Sequence, residues 1–427
     1  MKNKINEIFF VLFSLIIFSV VAIQSHFQHW SGQWDLDFWY IYNASLMASG
    51  IEQEWYDHPA TSFLSLYSFF YKIYSIFDTS FIYKIGDIVG SDNPDKVLQK
   101  IFFVTRIFDC VNIILIVFFT HKVLNFFSIN TFYKYFLISI VVLSITFFQN
   151  LSILNPEDWS VLFFMVSFYY FLKYFFSDKI KFLFLSGIFF SISFFSKISI
   201  LFLFIFIIPL IPILFEINST KIKSEINKIF IEKFIYLFIG YILSLSAYIA
   251  VQIIFLSKLA PFEKNAGLDA LLIFLINFSY LIYFFIFSKF NIEKFKIYFS
   301  IFILFSLSFL FGPFIFLIFD MLNIAEFNPW ILFHLTNPFN EMIRFADAYY
   351  ESAPGLNSIS NIFIKFFSNF LFDKFLFFGL LISYFFSSFI DFKNKNINNI
   401  FLKSIILFSL IFNILIFNLR FYIEYSL

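Results

Sequence analysis

The chain has 427 residues, of which 61% are hydrophobic and only 13% are charged, and its mean hydropathy is +0.86. A soluble domain cannot bury so much apolar surface, so the composition excludes a soluble protein and indicates an integral membrane protein. The net charge of +1 excludes the strongly basic surface with which proteins bind nucleic acid. The single cysteine, Cys110, excludes an internal disulfide and a cysteine-based metal site.

Apolar segments that are long enough to cross a bilayer recur along the chain. At about 20 residues per transmembrane helix, the sequence predicts about eleven spans, at residues 8–24, 104–120, 133–149, 158–176, 182–197, 198–216, 234–256, 270–288, 297–319, 374–390 and 400–418. The first span follows Lys2 and Lys4 and lacks a convincing cleavage site, so we interpret it as a retained helix rather than a signal peptide. The predicted fold is an all-α integral membrane bundle that forms one polytopic domain over residues 1–427.

The segment at residues 58–77 decides which loops share a side of the membrane. If it spans, every later loop changes sides. If it lies in the membrane interface instead, more than half of the 29 lysines and arginines fall in short loops on one side. Because cytoplasmic loops are enriched in lysine and arginine, the interfacial arrangement is favoured, with the N-terminus in the cytoplasm. We expect the location to be the cytoplasmic (inner) membrane of a bacterium.

Two long segments lie on the external side in this topology. The first covers residues 25–103 and carries two amphipathic pieces, near 38–48 and 58–77, which we predict to be short interfacial helices. The second is a late loop over residues 320–361. Long loops in a compact protein usually carry function, so we expect the chemistry at the external face.

The stretch HWSGQWDLDFWYIYNASL places Asp35 and Asp37 among aromatic residues directly after the first span. Two carboxylates at this spacing can share a hard cation or a set of sugar hydroxyls, and one of them can act as a general base. Unpaired charges at the bilayer edge are costly and therefore tend to be functional. The alternative is that the pair caps the following helix, with Asp37 near its N-cap. The residues alone leave both interpretations open.

Further acidic and imidazole groups follow on the same predicted side. His58 precedes Pro59, where the pair either binds a phosphate or sugar hydroxyl or simply begins an interfacial helix. Glu157 and Asp158 open a predicted span, where carboxylates also suit a helix N-terminus. Two acidic clusters that face one side of the membrane nevertheless indicate a site more strongly than either cluster does alone.

Three cations lie away from the lysine-rich loops. Lys197 comes at the outer end of the predicted span 182–197, Arg344 lies in the late loop, and Arg420 lies near the C-terminus. A lipid phosphate or pyrophosphate ligand would need such partners. The alternative is that these side chains extend to lipid headgroups.

The order of these features resembles the GT-C superfamily of polytopic glycosyltransferases, notably protein O-mannosyltransferases and lipid A aminoarabinose transferases. The resemblance rests on WDLDFWYIYNASLMASG after the first span, WYDHP before an amphipathic segment, an R-x-x-D helix start at Arg106 to Asp109, a helix that opens with NPED, and a helix from Gly187 to Lys197. It covers roughly residues 1 to 215 in motif order. The third residue of the family's H-P-P element is Ala60 here, and the late loop carries no subfamily signature.

The resemblance implies a transferase that uses a polyprenyl-phosphate-linked sugar on the non-cytoplasmic face, with a lipid, glycan or protein acceptor and membrane lipid around it. Asp35 or Asp37 matches the family's first-loop acid, which helps to bind a divalent cation (Mg²⁺ or Mn²⁺) in some members and acts as the base in others. Glu157 or Asp158 matches the second acidic element, and Glu157 is a further expected metal ligand.

The same resemblance assigns His58, Glu157, Asp158 and Lys197 to substrate binding. We add Arg344 and Arg420 to this set as further cations for the donor phosphate. Two other classes compete with the transferase. A transporter or flippase of lipid-linked saccharides should show charges near the middle of the membrane and broken helices in symmetric halves. An O-antigen polymerase or ligase should show several arginines in its external loops.

Overall fold

The computed structural model describes residues 35–54, 60–126, 156–177, 179–197, 207–217, 225–259 and 268–326, with isolated positions near the N-terminus and at 138 and 200. Within these ranges, side chains are not described at 35–37, 157, 225–227, 248–249, 251–259 and 268–270. The predicted spans at 8–24, 133–149, 374–390 and 400–418 lie outside the described ranges, as does the late external loop beyond residue 326. Every regular element within these ranges is a helix, which confirms the predicted all-α class.

In chain order the helices are α1 (Asp35–Ala48), α2 (Thr61–Phe77), α3 (Ile85–Val89), α4 (Pro94–Asn125), α5 (Pro156–Ser177), α6 (Ile180–Ser196), α7 (Leu210–Ile217), α8 (Glu225–Leu259), α9 (Leu268–Phe287), α10 (Ile292–Leu310) and α11 (Pro313–Met321). Four stretches within the described ranges are long and apolar enough to cross a membrane, at Pro94–Asn125, Asp158–Ser177, Lys228–Ala247 and Ile292–Met321. Two further apolar helices, over Ile180–Ser196 and Leu271–Phe287, are shorter. The chain thus has the character of a helical membrane protein, and the count of about eleven spans stays a prediction.

Reciprocal serine pairs join α5 and α6 into an antiparallel hairpin. The Ser160 hydroxyl donates to the Ser193 carbonyl (2.9 Å), and the Ser193 hydroxyl donates to the Ser160 carbonyl (2.6 Å). Ser167 and Ser186 repeat this exchange at 2.8 Å in each direction. All four serines are buried. Small hydroxyl side chains let membrane helices approach closely and bond across the interface, so these pairs fix the register of the hairpin.

Small residues also bring α6 close to α10 and α11. A Cβ on Gly187 would lie 2.5 Å from the Cβ of Ser308, and a Cβ on Gly312 would lie 2.2 Å from the Cβ of Ser191. Both contacts are far closer than side chains permit, so each position requires glycine. Residue numbers increase together along the two partners, so α6 runs parallel to α10 and α11.

Helices α4 and α5 are also parallel. The Trp159 indole lies 3.1 Å from the Asp109 carboxylate at one end, and the Phe126 and Phe176 rings stack at 4.9 Å at the other. Both helices therefore run in the same direction along the bundle. The sequence predicts a further span at 133–149 between them, and that span stays a prediction.

The end of α6 and helix α7 lie at opposite ends of the bundle. Lys197 ends α6 at the end of the bundle where α5 begins, whereas Glu216 of α7 bonds Lys294 at the first turn of α10 (2.6 Å). Because α10 runs parallel to α6, Lys294 lies at the opposite end of the bundle from Lys197. The sequence predicts a span at 198–216 between these two points; residues 200 and 207–216 of it are described, and the span stays a prediction.

The two ends of the bundle differ in charge. We call one the lysine end, because nine described lysines lie there: Lys122, Lys173, Lys179, Lys181, Lys228, Lys233, Lys289, Lys294 and Lys296. We call the other the distal end. There α4 and α5 begin and α6 and α11 end, and α1, α2 and α3 pack around the first parts of α4 and α5.

Helices α1 and α2 lie side by side at the distal end and share a separate apolar core with α4 and α5. Tyr40 and Phe63 meet edge to face at 5.1 Å, and the Ser68 hydroxyl donates to the Ala44 carbonyl (2.8 Å), so the two helices run parallel. The predicted helices near 38–48 and 58–77 therefore form, α1 beginning at residue 35 and α2 at residue 61. The 17-residue α2 is not among the candidate spans in the described ranges.

The helix start that the sequence predicts at Arg106 is wrong, because Arg106 lies well inside α4. The helix begins at Pro94, where the Asn93 side chain accepts a hydrogen bond from the Lys96 backbone N–H (3.1 Å). Proline at the first helical position and asparagine at the N-cap are standard initiators. Hydropathy did not reveal this start, because the first turns of α4 are too polar to register as part of an apolar span.

Candidate functional site

The acidic pair of the first external segment lies at the start of α1. Asp35 is the first residue of the helix and Asp37 the third, which agrees with the expectation that Asp37 lies near the N-cap. Their side chains lie outside the described set. The aromatic residues that follow contact one another, since Phe38 stacks on Tyr42 at 6.2 Å and Trp39 meets Tyr42 edge to face at 5.9 Å. Trp39 is 43% exposed, as expected for an interfacial aromatic residue.

The second acidic pair opens α5. Pro156 begins the helix, and Glu157 and Asp158 occupy its first turn, where carboxylates interact favourably with the helix dipole. The Asp158 side chain is buried, with 7% of its surface exposed, whereas the Glu157 side chain lies outside the described set. Burying a carboxylate costs free energy that a solvated carboxylate at a helix N-terminus does not.

Lys197 follows directly after α6, as predicted, and its backbone N–H donates to the Ser193 carbonyl at 3.1 Å. A lysine at this position also complements the negative end of the helix dipole. His58, Arg344 and Arg420 lie outside the described residues, so their predicted roles stay predictions.

Four helix ends that carry predicted site residues gather at the distal end. Tyr40, in the second turn of α1, contacts Phe63 near the start of α2. The Ser62 hydroxyl of α2 donates to the Ile192 carbonyl near the end of α6 (2.8 Å), and Ser193 bonds Ser160 in the second turn of α5. The N-termini of α1, α2 and α5 and the C-terminus of α6 are thus linked in one chain of contacts.

This gathering has a definite electrostatic character. Three helix N-termini contribute partial positive charge, and Lys197 adds a full one, beside the acids at the starts of α1 and α5. Helix N-termini and a lysine suit an anionic group such as a phosphate, and the carboxylates suit hydroxyls. The four segments therefore combine the two chemistries that a phosphate-linked sugar presents.

A metal at this place has no support among the described side chains. They contain no group of three or more histidine, cysteine, aspartate or glutamate residues arranged to hold an ion. The expected ligands Asp35, Asp37 and Glu157 have side chains outside the described set, so a bound Mg²⁺ or Mn²⁺ stays a prediction.

A charged cluster at the distal end ties α2 to the end of α11. The Lys72 ammonium donates to the Asn323 carbonyl, and the Glu326 backbone N–H donates to the Met47 carbonyl of α1 at 3.3 Å. Partial burial, with Asp320 and Glu52 nearby, raises the pKa of Glu326, and burial beside Lys84 lowers the pKa of Lys72. The cluster holds Asn323 and Glu326, at the start of the predicted late loop, against α2 and α1.

A buried polar cluster that the sequence did not predict lies beside the acidic start of α5. The Tyr67 hydroxyl donates to Asp109 Oδ1 (2.8 Å), and the Trp159 indole N–H donates to the same oxygen (3.1 Å). An aspartate inside an apolar helix was a usable signal, since such residues are costly and usually functional. No pattern in the sequence paired it with Tyr67, because that contact depends on how α2 packs against α4.

No family model, curated protein or solved structure matches the chain. The resemblance to the GT-C superfamily therefore rests on the motif order alone.

Proposed function

We propose that this chain is a membrane glycosyltransferase. It moves a sugar from a polyprenyl-phosphate donor to a hydroxyl of a lipid, glycan or protein acceptor, on the non-cytoplasmic face of the membrane. The observation that carries the proposal is the gathering of the ends of α1, α2, α5 and α6 at the distal end of the bundle. These ends bear Asp35, Asp37, Glu157, Asp158 and Lys197.

The proposed reaction is a single displacement with inversion at the anomeric carbon. The acceptor hydroxyl gives its proton to Asp35 or Asp37, and its oxygen forms the new glycosidic bond as the bond between the anomeric carbon and the phosphate oxygen breaks. The electron pair of that bond leaves with the polyprenyl phosphate. Phosphate is already a good leaving group, so it needs a cation more than a proton donor, and Lys197 together with the helix N-termini supplies the positive charge.

The charge distribution supports the choice of face. Nine described lysines lie at the lysine end, and the acidic segments lie at the distal end. Because positive loops stay in the cytoplasm, the distal end faces away from it. A donor held in the membrane by its prenyl chain reaches that end along the bilayer, which accounts for a catalytic site built on spanning helices.

The test uses purified protein with a labelled polyprenyl-phosphate hexose and measures both release of polyprenyl phosphate and transfer of the label. We expect the double variant Asp35→Asn/Asp37→Asn to lose about 100-fold or more of the wild-type rate, the range typical for loss of a general base. The single variants identify the aspartate that acts. The matched control is Asp87→Asn, which removes an exposed acid from α3 at the same end. Full activity in both single variants and in the double variant contradicts the catalytic role of the pair.

A further inference from the structure

Three side chains from three helices meet at one carboxylate oxygen below the acidic turn of α5. Tyr67 of α2 and Trp159 of α5 both donate to Asp109 Oδ1 of α4, and the indole also lies 3.2 Å from the Tyr67 hydroxyl. At most 3% of each side chain is exposed. The group is therefore a buried junction between helices that are far apart in the sequence.

The junction constrains the orientation of the Trp159 and Tyr67 side chains as well as the distance between their helices. A buried carboxylate is stable only when hydrogen-bond donors surround it, so Asp109 holds the indole N–H and the phenol in set orientations. Ring packing alone would not do this. Phe70 and Phe108 already stack at 4.1 Å and hold α2 against α4, so the hydroxyl of Tyr67 is not needed to bring the two helices together.

Trp159 and Ser160 hold the start of α5 between two neighbours. Trp159 bonds towards α4 and α2, whereas Ser160, the next residue, exchanges hydrogen bonds with Ser193 of α6. The residues directly before Trp159 are Glu157 and Asp158, and α6 ends at Lys197. The position of the acidic turn relative to that lysine therefore depends on Asp109.

We propose that Asp109 is a positioning residue, which acts through Trp159 to hold the acidic first turn of α5 in place. This inference rests on the proposed transferase function for its kinetic consequence. Displacing a catalytic or binding group by about 1 Å is enough to slow a reaction by up to about 100-fold. Loss of the junction should thus lower kcat for transfer, because a misplaced acidic turn orients the bound substrate less well.

The chain offers a matched pair of substitutions on α2. Tyr67→Phe removes the hydroxyl that bonds Asp109, and Tyr71→Phe removes a hydroxyl one turn later that bonds Thr105 at 2.8 Å. Both rings are buried and face α4. Asp109→Leu removes the acceptor, and Asp109→Asn restores an oxygen at the same place. Thermal unfolding of each variant monitors its folding.

Two measurements test the inference. Fluorine NMR of protein labelled with 5-fluorotryptophan follows Trp159 directly, with Trp159→Phe assigning its signal. We expect Tyr67→Phe and Asp109→Leu to shift or broaden that signal, Asp109→Asn to restore most of it and Tyr71→Phe to leave it unchanged. In donor turnover, kcat should fall about tenfold in Tyr67→Phe, a fraction of what a misplacement of about 1 Å can cost, and remain near wild type in Tyr71→Phe.

The two readouts separate this inference from the proposed function. A Trp159 signal that responds equally to Tyr67→Phe and Tyr71→Phe overturns the positioning role, whatever the activity. An active wild-type protein whose kcat is unchanged in Tyr67→Phe and Asp109→Leu overturns it as well. A wild-type protein without transfer activity contradicts the proposed function alone, and the fluorine signal then decides whether Asp109 holds the start of α5.

Discussion

Asp78 ends α2 and joins it to α4 through exposed polar contacts. The Asp78 carboxylate accepts hydrogen bonds from the backbone N–H and the hydroxyl of Ser80, at 3.0 and 2.6 Å, and forms an ion pair with Lys100 at 2.7 Å. The Lys100 ammonium also donates to the Ser80 hydroxyl at 3.0 Å. These contacts hold the turn that leads from α2 towards α3 at the distal end.

The Asp78 contacts predict a dependence of stability on pH. Hydrogen bonds from Lys100 and Ser80 hold the pKa of Asp78 below its ordinary value of 3.8. A carboxylate with a lowered pKa stabilises the fold above its unfolded pKa, and this contribution is lost as the pH falls through the folded pKa. Between about pH 5 and about pH 2 the wild type should therefore lose the contribution of Asp78, which Asp78→Asn lacks at every pH. We expect the variant to lose slightly less stability than the wild type over this range, and the difference to be small because exposed ion pairs contribute little.

The measurement is thermal unfolding in a non-ionic detergent across that pH range. The control is Asp87→Asn, which also removes one exposed negative charge at the distal end. If the wild type and Asp78→Asn keep a constant difference in stability over the whole range, the ion pair with Lys100 plays no part in the acid response.

At the scale of single residues, the sequence predicted where a residue lies in its helix better than it predicted which groups surround its side chain. It placed Lys197 at the end of α6 and Asp158 in the first turn of α5, because capping patterns are local. It did not predict that Asp158 is buried, nor that Trp159 bonds Asp109. Burial and long-range bonds depend on which helix faces pack together, and local patterns do not contain that information.

At the scale of helices, close packing of small residues predicts which glycine is essential. In Gly187→Ala the new Cβ would lie 2.6 Å from the Phe305 carbonyl oxygen and 2.5 Å from the Ser308 Cβ. Because one contact is with backbone, α6 and α10 must move apart. We expect a loss of about 1–3 kcal/mol in the free energy of unfolding, typical of overpacking.

Gly240→Ala is the matched control for that substitution. Gly240 lies within α8, and a Cβ there meets nothing within 4 Å among the described residues. Alanine favours a helix interior over glycine by about 0.5–1 kcal/mol, so this variant should be at least as stable as the wild type. Reversible unfolding in mixed micelles measures both variants, and equal stabilities would rule out the close approach of α6 to α10.

Hydropathy predicted the helices well where they are apolar and poorly where they are not. It located α5, α6, α9 and the pair α10–α11 to within a few residues. It shortened α4, a helix of 32 residues whose first turns carry lysine and glutamine. It identified the segment near 38–48 only as a short amphipathic piece, and it did not predict that Tyr40 to Ala48 of α1 are almost all buried against neighbouring helices.

At the scale of the molecule, the helix directions agree with one alternating path through the membrane. Helices α4 and α5 run from the distal end to the lysine end, and α6, α8 and α10 run the other way. The predicted spans need these same relative directions, because each span reverses the direction of the chain. Hydropathy and helix packing thus agree on the relative directions of the described helices, and which end faces the cytoplasm stays a prediction.

That arrangement predicts which residues a membrane-impermeant maleimide can reach. Asp92→Cys places a thiol in the exposed turn before α4 at the distal end, and Lys179→Cys places one in the exposed turn between α5 and α6 at the lysine end. The native Cys110 is buried, so the wild type gives little background. Because loops rich in lysine stay in the cytoplasm, intact spheroplasts should label Asp92→Cys at once and Lys179→Cys only after permeabilisation. Labelling of both from outside would contradict a bundle whose two ends lie on opposite sides. The reverse pattern would keep the bundle but place the acidic starts of α1 and α5 in the cytoplasm, where an external donor sugar could not reach them.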